Sequence, residues 1–231
     1  MHGGLGKVEQ VACGGNKEQL LRYLLVKAAP VMLKVRPAVL VRICNCSEIR
    51  GLQRYDHFCV HQQEIIEVLR TEYLILKNNG RDIQIMFYDR QRMAALLSDR
   101  EVRSFLRGMG YPSEWTVEEH LAELRKRFIG DIFPHEIGVF LGYPLKDVVG
   151  FMEKRQPCLA IPRALWRVFG DPAESLRRMW MYRFAEDIGR YAIAQYQSVE
   201  RCVEQIEKCF SDKIFINANQ KEKEQLWTES M

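Results

Sequence analysis

The chain has 231 residues, 47% of them hydrophobic and 28% charged, with a formal net charge of +4 at pH 7. This length can bury a full apolar core in one large domain or two small ones, and the composition is that of an ordinary soluble globular protein. The charge falls short of the basic surface of a dedicated nucleic-acid-binding protein, and no apolar run approaches the roughly 20 residues of a membrane-spanning helix.

The seven cysteines point to a reducing compartment. Their number is odd and their spacing lacks the regularity of a disulfide framework, so reduced thiols are the better interpretation. The N-terminus has no apolar core of the signal-peptide type. We therefore expect a cytoplasmic protein that does not insert into a membrane.

The first part of the chain predicts a helix followed by a strand. Residues 1–16 are rich in glycine, and we expect them to form a flexible terminus. From Lys17 the leucines recur at helical spacing, and Pro30 is expected to end that helix. Residues 38–44 are apolar and β-branched, which is typical of a buried strand.

The middle of the chain alternates between helical and extended patterns. Residues 64–77 carry apolar side chains at helical spacing, and the asparagines and glycine at 78–80 are expected to stop this helix. Residues 82–88 predict a second strand, and residues 90–97 predict another helix.

Two capping-box patterns predict further helix starts. Ser98 precedes Glu101 by three residues, and Thr116 precedes Glu119 by the same spacing. In each pair the hydroxyl can accept from the backbone at the third position while the glutamate reaches back to the cap.

The last part of the chain predicts a long helix. Asp171 offers a cap oxygen, Pro172 suits the first helical position, and Glu174 can reach back to the cap. An apolar stripe then continues from Phe184 to Cys209, and it could pack in a homodimer or against the domain itself. We predict an α+β fold with one domain over residues 17–216, in which several helices pack a small sheet and the C-terminal helix is long; a polar tail follows over residues 217–231.

The most unusual stretch is residues 133–151, called the 133–151 segment below. It places one histidine, two carboxylates, three glycines and two prolines in an otherwise apolar run. The motif consists of Phe133 to Gly138, Phe140 to Pro144, Asp147-Val148 and Gly150-Phe151. With these residues the segment closely resembles a family of bacterial proteins known as domain of unknown function 3793.

Two further blocks carry the same resemblance, which covers about residues 20 to 185. Residues 28–40 are similar to the family's first block, and Trp166 to Asp171 are similar to its last block. This chain has Ala28 and Leu165 where the family tends to have cysteine, and Arg36 where it tends to have lysine. The resemblance implies no activity, and if the two cysteines do chemistry elsewhere in the family, we expect this chain to lack it.

Our first functional hypothesis is a non-enzymatic binding or interaction protein whose site lies at the 133–151 segment. Its ligand would be a small molecule, a metal-bearing cofactor or a partner protein, and the sequence does not distinguish them. The ligand-binding candidates are His135, Tyr143, Arg36 and Trp166. No phosphate-binding loop or dinucleotide motif follows a predicted strand, so the sequence identifies no cofactor.

The second hypothesis is an enzyme that uses His135 with Glu136 or Asp147 for proton transfer. Adjacent residues on a helix point about 100° apart, so His135 and Glu136 would not touch each other, although both could face one pocket. The simpler interpretation is that both side chains hydrogen-bond the backbone at the turn.

The third hypothesis is a helix-turn-helix regulator, because the 133–151 segment has the spacing of two short helices with glycine at the turn. DNA-binding proteins of this type offer polar side chains from the second helix to base edges. Only Lys146 would be a good contact here, so the packing of two helices without nucleic acid explains the spacing more simply.

A metal site is the remaining alternative. Its weak candidates are five soft ligands within eighteen residues: Cys44, Cys46, His57, Cys59 and His61. If both short segments were extended, alternation would turn each set toward one face, and zinc accepts such ligands. The spacing of Cys44 and Cys46 is not the usual one for zinc, and scattered reduced cysteines are the more common outcome.

Overall fold

The computed structural model describes residues 17–46, 52–130, 132–154 and 157–211. The predicted flexible terminus and polar tail lie outside the described residues, and so does the side chain of Cys46. The extent of the single domain therefore stays a prediction.

The described residues form nine helices and six strands. In chain order they are α1 (Lys17–Met32), β1 (Ala38–Cys46), β2 (Leu52–Gln53), α2 (Arg54–Leu69), β3 (Glu72–Asn78), β4 (Asp82–Tyr88), α3 (Arg90–Ser98), α4 (Arg100–Gly108), α5 (Val117–Ile129), α6 (Ile137–Phe140), α7 (Leu145–Met152), β5 (Cys158–Leu159), β6 (Val168–Phe169), α8 (Ala173–Gln195) and α9 (Val199–Ser211).

Four strands form an antiparallel sheet in the order β2-β1-β4-β3, and β5 and β6 pair separately. At the centre of the sheet Val41 lies opposite Ile85. The predicted strands over 38–44 and 82–88 are thus confirmed as β1 and β4, and the helix over 90–97 is confirmed as α3.

The sheet separates two helical layers. Alternate residues of a strand point to opposite faces. Accordingly Val39, Val41 and Ile43 join a core formed with α1, α2, α8 and α9, whereas Ala38 joins a second core formed with α3 to α7. The predicted α+β architecture, with its small sheet, packed helices and long C-terminal helix, is confirmed. Among the described helices, none is both long and apolar enough to cross a bilayer.

The first helix does not end at Pro30, as the sequence predicted. α1 continues to Met32, with Pro30 buried inside it. A proline in a helix removes one backbone hydrogen bond. Here the neighbouring Ala29 and Val31 are buried in the first core, and their packing holds the turn in place despite that loss.

The predicted helix over 64–77 is wrong in its second half. α2 ends at Leu69, where Arg70 adopts a left-handed conformation with φ of 49°, and β3 follows. The asparagines and glycine at 78–80 form the β3–β4 hairpin turn instead of a helix stop, and the Gly80 N–H donates to Asn78 Oδ1 at 3.0 Å.

One of the two predicted capping boxes is confirmed. Thr116 and Glu119 make the reciprocal hydrogen bonds at the start of α5. At α4 the cap is Asp99 rather than Ser98, because its carboxylate accepts from the backbone N–H groups of Glu101 and Val102.

The long C-terminal helix begins at Ala173, whose N–H donates to Asp171 Oδ1 at 3.1 Å. The apolar stripe does not continue on a single helix, because the chain leaves the helix at Tyr196 and α9 begins at Val199. Its buried members Cys202 and Ile206 belong to the first core. The stripe therefore packs largely within the chain, and a homodimer stays a prediction.

Candidate binding cleft

The 133–151 segment forms a tight corner between α6 and α7. The N–H of Ile137 donates to the Pro134 carbonyl, and the N–H of Gly138 donates to the His135 carbonyl, so a turn precedes the helix. Pro134 and His135 thus lie in this turn and not in the helix, because α6 begins at Ile137.

Two glycines allow this corner to close. Gly142 has φ of 75°, and a Cβ there would lie 2.6 Å from both the Pro37 ring and the Tyr182 hydroxyl oxygen. At Gly138 a Cβ would lie 2.9 Å from the Val148 side chain. The segment thus needs glycine at these positions so that its backbone can approach the rest of the protein.

A cleft of about 490 Å³ opens beside the corner. This volume lies within the roughly 300–1,000 Å³ typical of small-molecule sites. Its floor is apolar and consists of Leu40, Ile137, Gly138, Leu141 and Val148. Its remaining lining residues are aromatic or polar: Phe133, His135, Tyr143, Phe151, Trp166, Arg167 and part of Asp147.

His135 is exposed at the cleft, between two aromatic rings. Its ring centroid lies 5.6 Å from that of Phe133 and 5.1 Å from that of Phe151. The imidazole makes neither a hydrogen bond nor an ion pair with any residue that the structure describes, so the predicted bond to the turn backbone is not formed. Both of its nitrogens can therefore reach a ligand.

Tyr143 and Trp166 form one wall of the cleft. Their rings are stacked, with centroids 4.3 Å apart and an interplanar angle of 20°. The indole N–H of Trp166 donates to Asp147 Oδ2 at 2.8 Å, which fixes the orientation of the ring. The wall is therefore a rigid aromatic surface suited to a flat ligand.

Arg36 lies behind this wall rather than in the cleft. Its side chain is only 7% exposed, and its guanidinium carbon lies 5.6 Å from the Tyr143 ring centroid and 4.8 Å from that of Tyr182. The Nε donates to the Leu141 carbonyl at 2.9 Å. Arg36 thus stabilises the corner between α6 and α7 by cation–π contacts and one hydrogen bond.

Asp147 is 2% exposed and is the centre of a hydrogen-bond network. Besides Trp166, it accepts from Lys146 Nζ at 2.8 Å, from the Phe169 N–H at 2.9 Å and from Ser175 Oγ at 2.6 Å. This network joins α7 to β6 and to the start of α8.

Burial alone would raise the pKa of Asp147, but the hydrogen bonds from Lys146, Ser175, the Phe169 backbone and Trp166 outweigh it and lower that pKa. The carboxylate is therefore ionised, with both oxygens engaged. A carboxylate held in this way is poorly suited to accept a proton from a ligand.

Glu136 does not line the cleft. It is 3% exposed, and its Oε1 accepts from Tyr111 OH and from Arg127 Nη1, each at 3.2 Å. His135 and Glu136 therefore lie in different surroundings. At the cleft, His135 has no free carboxylate partner, because Glu136 and Asp147, the two candidates for proton transfer, are both engaged by other donors.

A family model for proteins of unknown function, DUF3793, matches residues 24–203. The chain belongs to this family. The match continues past residue 185, where the resemblance was expected to end, and therefore includes part of α9. No curated protein and no solved structure gives a significant match to the chain.

The positions at which this chain departs from the usual DUF3793 residues lie in different environments. Ala28 is fully buried in the first core, whereas Leu165 is 43% exposed beside the cleft-lining Trp166. Arg36 keeps a positive charge where the family tends to have lysine, and its bond to Leu141 ties the family's first block to the 133–151 segment.

Lys146, the side chain expected to contact DNA bases, is engaged within the protein. Its ammonium donates to Asp147, to the Phe169 carbonyl at 2.8 Å and to Ser175 Oγ at 3.0 Å. An ammonium has three donors, so all of them are used. The structure therefore offers no support for the helix-turn-helix interpretation at this side chain.

The sequence interpretation assumed two extended sets of metal candidates, and only the first is extended: Cys44 and Cys46 lie on β1. His57, Cys59 and His61 lie on α2, which is kinked at His61; before the kink, a spacing of two residues turns Cys59 away from His57. Within the described ranges, no group of three or more histidine, cysteine, aspartate or glutamate side chains is placed to hold a metal ion. For Cys46 only the backbone is among the described parts of the chain.

Sequence reasoning did not single out three lining residues, Phe133, Phe151 and Arg167. The two phenylalanines belong to an apolar run, and such residues are usually buried. In the structure they are 48% and 38% exposed. Their closeness in sequence to His135 and to the glycine-rich corner could have indicated that they line the site. Nothing in the sequence indicated Ser175 as a partner of Asp147.

Proposed function

We propose that this DUF3793 protein binds a small, mainly apolar molecule in the cleft beside His135, without turnover. The observation that carries the proposal is the cleft itself: about 490 Å³, apolar at its floor and walled by the Tyr143–Trp166 stack. A flat ring would fit against this wall, because aromatic surfaces favour stacked partners.

The charges around the cleft favour a ligand with one negative group. Asp147 is already neutralised by Lys146 and three further donors. Arg167 lies at the cleft with its guanidinium carbon 5.6 Å from the Phe151 ring centroid, and no carboxylate of the described residues pairs with it. An arginine in this setting can bind a carboxylate, sulfonate or phosphate.

Exposed apolar side chains beside the cleft also support binding. Phe133 and Phe151 line it, and Ile132 and Leu165, which adjoin lining residues in sequence, are 82% and 43% exposed. Clusters of exposed apolar residues on a folded protein commonly mark binding sites. We place the ligand among these side chains.

A matched pair of dyes tests the proposal. 1-Anilinonaphthalene-8-sulfonate carries an apolar ring system and one negative charge, and N-phenyl-1-naphthylamine has the same rings without the charge. We expect both to bind the native protein with a rise in fluorescence. Phe151→Ala should weaken both dyes at least about fivefold, since it removes apolar contact area. Arg167→Gln should weaken the sulfonate more than the neutral dye.

Val60→Ala is the control, because Val60 is exposed on α2 in the opposite helical layer. Its affinities should stay within about twofold of those of the unchanged protein. Equal affinities in Phe151→Ala, Arg167→Gln and Val60→Ala would contradict binding at the cleft.

We also propose that the protein works in a bacterial cytoplasm. Among the described residues, the thiols of Cys59 and Cys202 are not joined in a disulfide. Free thiols suit a reducing compartment. A bacterial source is what the family resemblance implies.

A further inference from the structure

A second concave surface lies on α4, away from the cleft residues. It encloses about 250 Å³ and is lined by Arg100, Arg103, Ser104, Arg107 and Ser113. Every lining side chain is a cation or a hydroxyl, and none is a carboxylate or an apolar group. The first four of these residues share one face of the helix, at spacings of three, four and seven.

The three arginines have no carboxylate partner among the residues that the structure describes. Elsewhere on the surface Arg70, Arg90 and Arg190 each form ion pairs of 3.0 Å or less. Within the described ranges, these three arginine side chains donate a single hydrogen bond, from Arg103 Nη2 to the Ser98 carbonyl at 2.7 Å. Most of the guanidinium donors are therefore available to a ligand.

Of the three arginines, only Arg107, in the last turn, is placed favourably for the helix dipole. Arg100 is its first residue, and a cation at a helix N-terminus opposes the helix dipole. Like charges three or four residues apart also destabilise a helix. Bringing three such charges around one hollow costs stability, and an anion bound in that hollow would offset this cost.

We propose that the α4 surface is a binding site for a phosphoryl group carried by a small molecule. A phosphate monoester brings close to two negative charges and several acceptor oxygens, which match guanidinium forks and serine hydroxyls. The site is a hollow of about 250 Å³, and the chain carries a net charge of only +4. Both features favour a small phosphorylated molecule over nucleic acid.

Isothermal titration of the full chain with inorganic phosphate, in a chloride buffer, tests the site. We expect saturable binding with a Kd below about 1 mM, a range typical of small-ligand recognition. The double variant Arg100→Gln/Arg107→Gln should weaken this binding at least about tenfold, because it removes charge-assisted hydrogen bonds. Ser113→Ala should weaken it by a smaller factor.

Arg92→Gln is the matched control, since Arg92 is an exposed arginine on the neighbouring α3 and is not part of the hollow. Its affinity should equal that of the unchanged protein. The proposal is overturned if phosphate does not bind, or if Arg92→Gln weakens it as much as the double variant. It is also overturned if a single-stranded oligonucleotide binds the surface more tightly than phosphate with a steep salt dependence, which would indicate a polyanion surface.

Discussion

At the scale of single residues, Asp147 determines the shape of the cleft more than any side chain that a ligand would touch directly. Its carboxylate orients the Trp166 indole, holds the Lys146 ammonium and caps the backbone of Phe169. These three groups come from α7, β6 and the loop before it. Asp147 is therefore mainly a positioning residue, since only part of it lines the cleft and its hydrogen bonds hold the Trp166 wall in place.

We expect Asp147→Asn to lower the free energy of unfolding by about 2 kcal/mol at pH 7, because it leaves a half-buried ammonium and several other donors without their anionic partner. Urea denaturation of the two proteins measures the difference. A loss below about 1 kcal/mol would show that the network contributes little.

The same comparison at low pH checks the sign of the electrostatic contribution. The hydrogen bonds lower the pKa of Asp147 in the folded state, against the opposing effect of burial, below the roughly 3.9 of an unfolded aspartate. Its contribution is therefore complete above about pH 5 and is lost as the pH falls through the folded pKa. The gap between the two proteins should shrink near pH 3, and a constant gap would contradict the assignment.

For Thr71 we predict the opposite effect on stability from that of Asp147. Its hydroxyl oxygen is buried and has no hydrogen-bond partner among the described residues. Thr71→Val replaces that hydroxyl with a methyl group of similar size, so we expect the free energy of unfolding to stay unchanged or to rise.

Thr116→Val, the matched change, removes the α5 cap and should cost about 1 kcal/mol. Thermal denaturation of both variants measures the contrast. A loss of stability in Thr71→Val as large as that in Thr116→Val would contradict it.

At the scale of elements, the sequence predicted those features that depend on local chemistry. The Thr116–Glu119 cap and the strands β1 and β4 could be predicted because these residue patterns are compatible with few other local structures. β3 was mistaken for helix because apolar side chains on both of its faces pack against a core. Tyr73 and Ile75 pack on one core while Leu74 and Leu76 pack on the other, so the run shows no alternation.

The contact between α7 and β6 depends on a glycine, which leads to an element-scale prediction. A Cβ on Gly150 would lie 2.6 Å from the Phe169 ring, whereas a Cβ on Gly108 would have nothing within 4 Å. Gly150→Ala should therefore destabilise the protein by about 2 kcal/mol through overpacking.

Gly108→Ala is the matched control and should be neutral or stabilising by up to about 1 kcal/mol, since alanine favours the helix. Chemical denaturation distinguishes the two variants. Similar effects of both substitutions would show that α7 and β6 are not in close contact.

At the scale of the whole molecule, the candidate site could be located from the sequence, but its composition could not. The 133–151 segment identified His135 and Tyr143, and the family's last block identified Trp166. Which carboxylate faces the cleft was not predictable, because Glu136 and Asp147 find partners 25 and 28 residues away in sequence, at Tyr111 and Ser175. Pairings over such distances are decided by tertiary packing.

The two cores share one sheet, so we expect the two helical layers to unfold together. Leu24 belongs to the first core and Leu124 to the second, and both are fully buried. Leu24→Ala and Leu124→Ala should each lower the free energy of unfolding by about 2–5 kcal/mol in one shared transition. Far-UV circular dichroism and tryptophan fluorescence should give coincident curves, and separate transitions would contradict a single domain.

The most direct test of the central claim is nuclear magnetic resonance mapping of where 1-anilinonaphthalene-8-sulfonate binds. If the cleft beside His135 is the binding site, the largest shifts should occur at the backbone amides of Gly138, Val148 and Phe151 and at the indole N–H of Trp166, all of which belong to cleft-lining residues. Shifts confined to other surfaces, or none at a saturating concentration of the dye, would contradict the claim.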